Sequence, residues 1–296
     1  MRQHANSEKG FTIANPEPAR ACSWSASGKC AYDYTLDSGQ LRRGVSQGDL
    51  PLSSRLLEKL KSGKPISIAA IGGSVTKGRN AAREERYLFQ LARWLQTAFP
   101  AQHMVHNGGV SASPIKYMNL CVREHVPADV DLVIVEYAVN QMLPGVNIAK
   151  AMPVMQYERM IRKLLAFESR PAVILLQTFG WSRGFNRIAS NTWSSFFETP
   201  EDHFAVVAKY YGLPSLSLRD AIFHNVLRKE KGYNLESVLA DCPPEAVVRN
   251  AEPEPGPGLC IHPSGKGHGF LASLLVHYLS ETFTTLEASP YEPMSD

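Results

Sequence analysis

The first residue placed to do chemistry in this chain is a serine delivered at the end of an apolar run. Ile66-Ser67-Ile68-Ala69-Ala70-Ile71 stops at Gly72-Gly73 and hands over to Ser74-Val75-Thr76. A short run of Ile and Ala reads as a strand buried on both faces, of the kind found inside a parallel sheet. Neither glycine carries a Cβ, so the backbone can turn sharply and approach other groups closely. Ser74 then falls just beyond the strand's carboxyl end, where open α/β sheets place their ligands. A hydroxyl there becomes a useful nucleophile only when a neighbouring base takes its proton, and imidazole is suited to that near neutral pH. Alone, the stretch also reads as strand-to-turn punctuation with Ser74 as a cap.

Three further stretches fall at strand ends or helix starts, where side chains can converge from distant parts of the chain. They are Asn107-Gly108-Gly109-Val110-Ser111-Ala112-Ser113, Glu136-Tyr137-Ala138-Val139-Asn140-Gln141 and Cys260-Ile261-His262-Pro263-Ser264-Gly265-Lys266-Gly267-His268. Taken singly, Asn140 reads as a turn or cap residue, His262 as a helix-entry residue and His268 as a structural histidine facing the neighbours of the last helix.

The elements that must position these residues follow from hydrophobic period. Residues Met1 to about Gly48 are polar, rich in Ser, Gly and Ala, and lack a sustained period, which predicts a loosely structured arm over 1–50. Leucines at helical spacing mark Pro51 to Leu60, and Glu84 to Ala98 places Leu88, Leu91, Ala92 and Leu95 on one face. Strands are expected at Met104–Asn107, Asp131–Val139, Ala172–Thr178 and Pro214–Leu218. Helices are expected at Met155–Phe167, Glu201–Tyr211 and Arg219–Lys229, and the last from Gly265 towards Phe283 with Phe270, Leu274, Leu275 and Tyr278 inward. A Pro- and Glu-rich loop covers about Asp241 to Gly258. Strands alternating with helices predict βαβ units and a mainly parallel sheet covered on both faces. The domain so outlined spans 51–286, with a tail over 287–296.

Composition narrows the class. Of 296 residues, 44% are hydrophobic and 20% charged, the profile of a soluble globular chain. A net charge of only +3, with Lys and Arg spread along the chain, gives no electrostatic case for nucleic acid. No apolar run reaches the length of a membrane span, and Met1-Arg2-Gln3-His4-Ala5-Asn6 lacks the apolar stretch of a signal peptide, so the compartment is left open. The five cysteines include no CxxC pair, which argues against a structural zinc site. Cys22 with Cys30 and Cys242 with Cys260 could each close a loop and leave Cys121 free; five reduced thiols suit the count equally well.

Taken together and in this order, the four stretches resemble the SGNH (GDSL-like) hydrolase family over roughly Pro51 to Phe283. The resemblance implies a three-layer α/β/α sandwich of the flavodoxin-like kind with a five-stranded parallel sheet. It also implies a serine hydrolase that cleaves a carboxylic ester and needs no cofactor and no metal. The family's Gly-Asp-Ser appears here as Gly72-Gly73-Ser74, keeping the nucleophile and replacing the acid with glycine. Aligning the second block on Asn107 places Ala112 where a glycine N–H usually faces the oxyanion. The third block, usually Gly-x-Asn-Asp, is Ala138-Val139-Asn140-Gln141 and keeps the asparagine.

By this resemblance Ser74 is the nucleophile and His262 the base that later protonates the leaving alcohol. The N–H groups of Ser74 and Ala112 and the amide of Asn140 would stabilise the charge on the tetrahedral intermediate. The last block, usually Asp-x-x-His, departs most, because the residue three before His262 is Leu259. An acid there would fix the imidazole tautomer and stabilise the imidazolium. Three substitutes stay open: a backbone carbonyl, giving a Ser-His dyad; a carboxylate among Asp241, Glu252 and Glu254; or no partner at all.

Other readings of the same residues fare worse. A phosphate-binding loop needs Gly, Lys, then Ser or Thr, but here Lys77 precedes Gly78. No GxGxxG follows a strand. His262 and His268 stand six residues apart at a helix start, would not share a face, and have no further His or Cys pair to complete a metal site. The aromatic-rich stretch with Trp181, Phe185 and Trp193, continuing to Phe196 and Phe197, reads either as a lid or substrate wall, where sugar rings would stack, or as a loop pinned by its own aromatics. The expected substrate is a small-molecule or glycan ester, with an acetyl ester on a glycan favoured by that aromatic stretch. Transfer of an acyl group to a sugar hydroxyl and a non-catalytic binding domain on the same scaffold are the rival readings.

Overall fold

The computed structural model describes residues 8–12, 32–49, 51–141, 152–181, 199–242 and 261–289. Its centre is the strand β3 (Ser67–Gly72), buried at every position. Alternate residues of β3 face opposite layers. Ile68 and Ala70 pack with α2 (Pro51–Lys61), α4 (Tyr87–Ala98) and the long C-terminal helix α10 (Gly265–Ala288). Ala69 and Ile71 pack with α5 (Ile115–His125), α6 (Met152–Leu165) and α7 (Pro200–Tyr210). This is why the strand reads as a continuous apolar run rather than an alternating one. In α4 the predicted stripe Leu88, Leu91, Ala92 and Leu95 is buried; each leucine so buried is worth roughly 1.5–3 kcal/mol. Phe270, Leu274, Leu275 and Tyr278 of α10 are buried as expected.

The strands β4 (Met104–Asn107), β3, β5 (Leu132–Glu136), β6 (Ala172–Gln177) and β7 (Ser215–Ser217) lie side by side in that order, all parallel. They are the five parallel strands expected from the sequence, but the sheet has seven. The strand β1 (Glu8–Thr12) pairs antiparallel with β4, and β2 (Val45–Ser46) pairs antiparallel with β7. Both edge strands come from the stretch expected as a loosely structured arm, which also supplies α1 (Ser38–Gly44). Two short strands on opposite sheet edges carry too little apolar periodicity to be read from sequence. What stabilises them is the row of backbone groups that β4 and β7 would otherwise leave unpaired. The helix α1 starts at a capping box, in which Asp37 accepts from the Gln40 N–H and Gln40 reaches back to the Asp37 N–H.

Two further differences bear on the site. The helix α5 carries no element expected from the sequence, because a polar run and a preceding Pro114 obscure its buried residues Ile115, Met118, Asn119 and Val122. The strand expected to run to Val139 ends at Glu136, and Ala138–Asn140 turns as a single 3-10 unit. The parallel order reverses at β3, whose neighbours are β4 on one side and β5 on the other. A crevice outside the strands' carboxyl ends opens at such a reversal, and the segments after β3 and β5 carry Ser74 and Asn140.

Candidate active site

Ser74 opens a one-turn helix, α3 (Ser74–Lys77), directly after β3. The turn closes on Gly78 in the left-handed region, φ +83, whose N–H donates to the carbonyls of Ser74 and Val75. The first N–H groups of a helix have no intrahelical acceptor, so the Ser74 N–H at this turn is free of the ladder. The two glycines before it are required by crowding. A Cβ on Gly72 would stand 2.2 Å from Thr76 Oγ1, and one on Gly73 would stand 2.2–2.5 Å from the side-chain atoms of Asn140. The departure from the family's Gly-Asp-Ser at Gly73 therefore coincides with the amide of Asn140 lying against this turn.

The loop after β4 is tied to the same turn. Asn107 donates from Nδ2 to the Thr76 carbonyl at 2.9 Å and accepts from the Gly109 N–H at 3.0 Å. The Val110 N–H donates to the Gly72 carbonyl at 3.0 Å. Two residues further on, Ala112 is exposed and holds φ +58, the left-handed backbone that favours glycine. The alanine thus holds a backbone conformation that glycine adopts without strain.

His262 reaches Ser74 from the far end of the chain. Its Nε2 lies 2.7 Å from Ser74 Oγ, and both residues are buried. Its Nδ1 lies 2.7 Å from Asp241 Oδ2. The second carboxylate oxygen accepts the backbone N–H groups of Ile261, at 3.1 Å, and His262, at 3.0 Å. Partial burial would raise the pKa of Asp241, but the hydrogen bonds from the His262 ring and these two N–H groups outweigh it and hold the carboxyl below its usual range. The partner of the imidazole is therefore a side-chain carboxylate and not a backbone carbonyl. Glu252 and Glu254 lie outside the described residues.

The register of a short antiparallel bridge explains how Asp241 gets there. Leu239 pairs with Pro263, the Ala240 N–H donates to the His262 carbonyl at 2.9 Å, and the Ser264 N–H donates to the Val238 carbonyl at 2.9 Å. Ser264 then caps α10 by accepting from the Gly267 N–H. Asp241 follows immediately after the paired segment and so faces Ile261 and His262. Next to it, Cys242 is disulfide-bonded, while Cys121 is free.

Other residues singled out from the sequence lie elsewhere. Trp181 is fully buried, edge-on to Phe179 at 5.0 Å and stacked on Phe223 at 6.2 Å. It is part of the core and not a substrate wall; the run of aromatics that suggested a wall is equally the signature of a packed cluster. Phe185 and Trp193 lie outside the described residues. His268 packs its ring against Tyr87 and accepts the Tyr87 N–H at 3.3 Å through Nδ1. Burial, helped by the charge of Arg86, lowers its pKa to about 4, so it is a neutral structural imidazole.

Sequence reasoning passed over Glu136, the last residue of β5, which is fully buried beneath the Ser74 turn. Its signal was legible: one carboxylate closing an otherwise apolar strand.

Solved structures similar to this fold include esterases. A two-domain esterase active on acetylated mannans, co-crystallised with mannopentaose, superposes with TM-score 0.64 at 21% identity. The alignment covers 86% of this chain and 59% of that one, so this chain spans less than two thirds of that protein's length. The same esterase without the sugar gives TM-score 0.66, 21% identity and coverage of 86% and 60%. A variant of an acetyl xylan esterase from Geobacillus stearothermophilus gives 0.50 at 17% identity, over 72% of this chain and 94% of that one. At such identities these likenesses speak to the fold. No curated protein matches the chain. Sequence adds what the fold leaves open: residues 70–270 match the model of the GDSL-like Lipase/Acylhydrolase family, and the chain belongs to that family.

Proposed function

We propose that this chain is a serine esterase that removes an acyl group, an acetyl group in particular, from a hydroxyl of a carbohydrate. One observation carries the reading: Ser74 Oγ, both nitrogens of His262 and Asp241 Oδ2 form an unbroken hydrogen-bonded line with two contacts of 2.7 Å. In the reaction Ser74 Oγ attacks the ester carbonyl carbon while Nε2 of His262 takes the hydroxyl proton. Asp241 keeps the other ring proton on Nδ1 and stabilises the imidazolium. The oxyanion faces the N–H groups of Ser74 and Ala112 and the amide of Asn140; losing one such donor typically costs about 3 kcal/mol. Collapse of the intermediate breaks the bond to the alcohol oxygen, which leaves with the proton from His262. Water, deprotonated by the same nitrogen, then releases the carboxylic acid and restores Ser74.

The choice of an acetyl ester on a glycan draws on the activity named for the structural relatives, acetylated mannans for one and acetyl xylan for the other. The non-catalytic reading rests on the altered positions Gly73, Ala112, Gln141 and Leu259, and Asp241 beside Nδ1 answers the last of them. The test is hydrolysis of an aryl acetate and of acetylated oligosaccharides by the wild type and by Ser74→Ala. Acetate release by the wild type that falls to background in the variant supports the esterase. Release undiminished by Ser74→Ala, or no release from any acetate ester, overturns it. Turnover that appears only when a sugar acceptor is added redirects the assignment to acyl transfer.

A further inference from the structure

Beneath the Ser74 turn lies a buried carboxyl that the reaction as written does not use. Glu136 is fully enclosed, at 0% exposure. Its two carboxylate oxygens receive Thr76 Oγ1 at 3.0 Å and Thr178 Oγ1 at 2.5 Å. The backbone N–H groups of Gly73 and Thr76 lie near enough to help hold its pKa down. Tyr87, itself fully buried, lies 3.0 Å from Thr76 Oγ1 through its hydroxyl; since Thr76 donates to Glu136, the phenol donates to Thr76.

A carboxylate accepts at about four lone-pair sites, and the two threonine hydroxyls occupy one on each oxygen. Burial pushes the Glu136 pKa above the usual carboxylate range, and the hydrogen bonds from Thr178, Thr76 and Gly73 offset this only in part.

These donors are not scattered. Gly73 and Thr76 flank Ser74 on either side, and Gly72 lacks a Cβ at the place where Thr76 Oγ1 passes on its way to Glu136. The parallel pairing of Gly72 with Glu136 brings the two strand ends level. The turn that aims the Ser74 hydroxyl and N–H is thus pinned from below through the Thr76 side chain.

We propose that Glu136 is a positioning residue for the nucleophile turn: its buried carboxyl ties the hydroxyl of Thr76, two residues after Ser74, to that of Thr178 on the neighbouring strand end, and so fixes the direction in which Ser74 presents its Oγ and N–H. It touches no reacting atom and acts only through the turn. The inference rests on the esterase reading for its assay.

The experiment compares wild type, Glu136→Gln, Thr178→Val and Thr178→Ser on an aryl acetate, with reactive serine counted by a fluorophosphonate so that rates are per active site. Glu136→Gln keeps the shape but replaces one acceptor oxygen by an amide N–H₂, so the threonine hydroxyl facing it must turn round and give up its present direction. The expected result is kcat per titrated serine lowered about 10- to 100-fold with KM changed less than about threefold, the pattern of a lost transition-state alignment. Thr178→Val should lower kcat about 3- to 10-fold and Thr178→Ser should recover most of it. Unchanged kcat per titrated serine in Glu136→Gln overturns the proposal. Should that variant fail to fold, equal kcat in Thr178→Val and wild type overturns it. Wild type without esterase turnover would instead sink the esterase assignment, a separate outcome.

Discussion

Asp241 meets His262 across 21 positions of sequence, with its carboxylate split between the ring and the backbone. Oδ2 faces Nδ1 while Oδ1 takes the N–H groups of Ile261 and His262. The same carboxylate that orients the imidazole therefore also fixes the backbone from which it hangs. Because the bridge between Leu239 and Pro263 sets the two ends, the length of the intervening loop has no bearing on this geometry.

Asp241→Asn tests the orienting role. The amide oxygen can keep the two backbone N–H groups, but the N–H₂ then faces Nδ1 and forces the ring proton onto Nε2, where it blocks acceptance of the serine proton. Steady-state kinetics on an aryl acetate should show kcat reduced by about 10²- to 10⁴-fold with the thermal midpoint little changed. A loss below about tenfold would show that Asp241 is dispensable to the imidazole.

Gly73→Ala probes the contact between the Ser74 turn and Asn140. The added Cβ would fall 2.2–2.5 Å from the Asn140 side chain, so that side chain must move. If the Asn140 amide stabilises the oxyanion, the variant should lose about 10²-fold in kcat, close to the loss in Asn140→Ala, and the double variant should lose little more. Additive losses would separate the two residues.

Cys242 adjoins Asp241 and is disulfide-bonded. A bond there restrains the segment that holds the acid. Cys242→Ser, or mild reduction of the wild type, should lower kcat about 3- to 10-fold, because small misplacements of a catalytic group are costly. Activity indifferent to reduction, with thiol titration confirming that the bond has opened, would remove the bond from the mechanism.

Glu201 gives the stability of the protein a pH dependence. It is buried beside Arg219, which also pairs with Asp202 at 2.8 Å and Asp220 at 3.1 Å. Burial, partly offset by Arg219, pushes the Glu201 pKa up to about 7, against about 4.3 in an unfolded chain. A folded-state value above the unfolded one means the folded protein holds this proton more tightly. The contribution is full below about pH 4 and is lost as pH rises through about 7. Glu201→Gln, which cannot ionise, should therefore gain on the wild type in thermal midpoint between pH 4 and pH 8. A difference constant across that interval would refute the assignment.

Much of the scaffold was legible locally. The run Ile66–Ile71, short, apolar and ended by two glycines, reads as a strand buried on both faces, and the stripe of α4 reads as facing a core because helical period and burial are tied by geometry. Ser74, Asn140 and His262 could be picked out because Ser74 and Asn140 follow apolar strands and His262 precedes the last helix. What stayed hidden was held by pairing and not by period. The strands β1 and β2 exist because sheet edges accept them, Trp181 turned inward because Phe179 and Phe223 were waiting there, and Glu136 counted as one more strand residue until its donors came into view.

The sequence by itself determined the alternation of strands and helices, the serine after Gly72-Gly73 and the histidine before Pro263. It left Asp241, Glu252, Glu254, a bare carbonyl and no partner at all open for the imidazole, since separation along the chain carries no information about distance across a loop. Only the tertiary structure decided among them: two backbone hydrogen bonds around Leu239 and Pro263 bring one carboxylate to within 2.7 Å of Nδ1. The decision is physical, because a register set by backbone pairing fixes which side chain comes next.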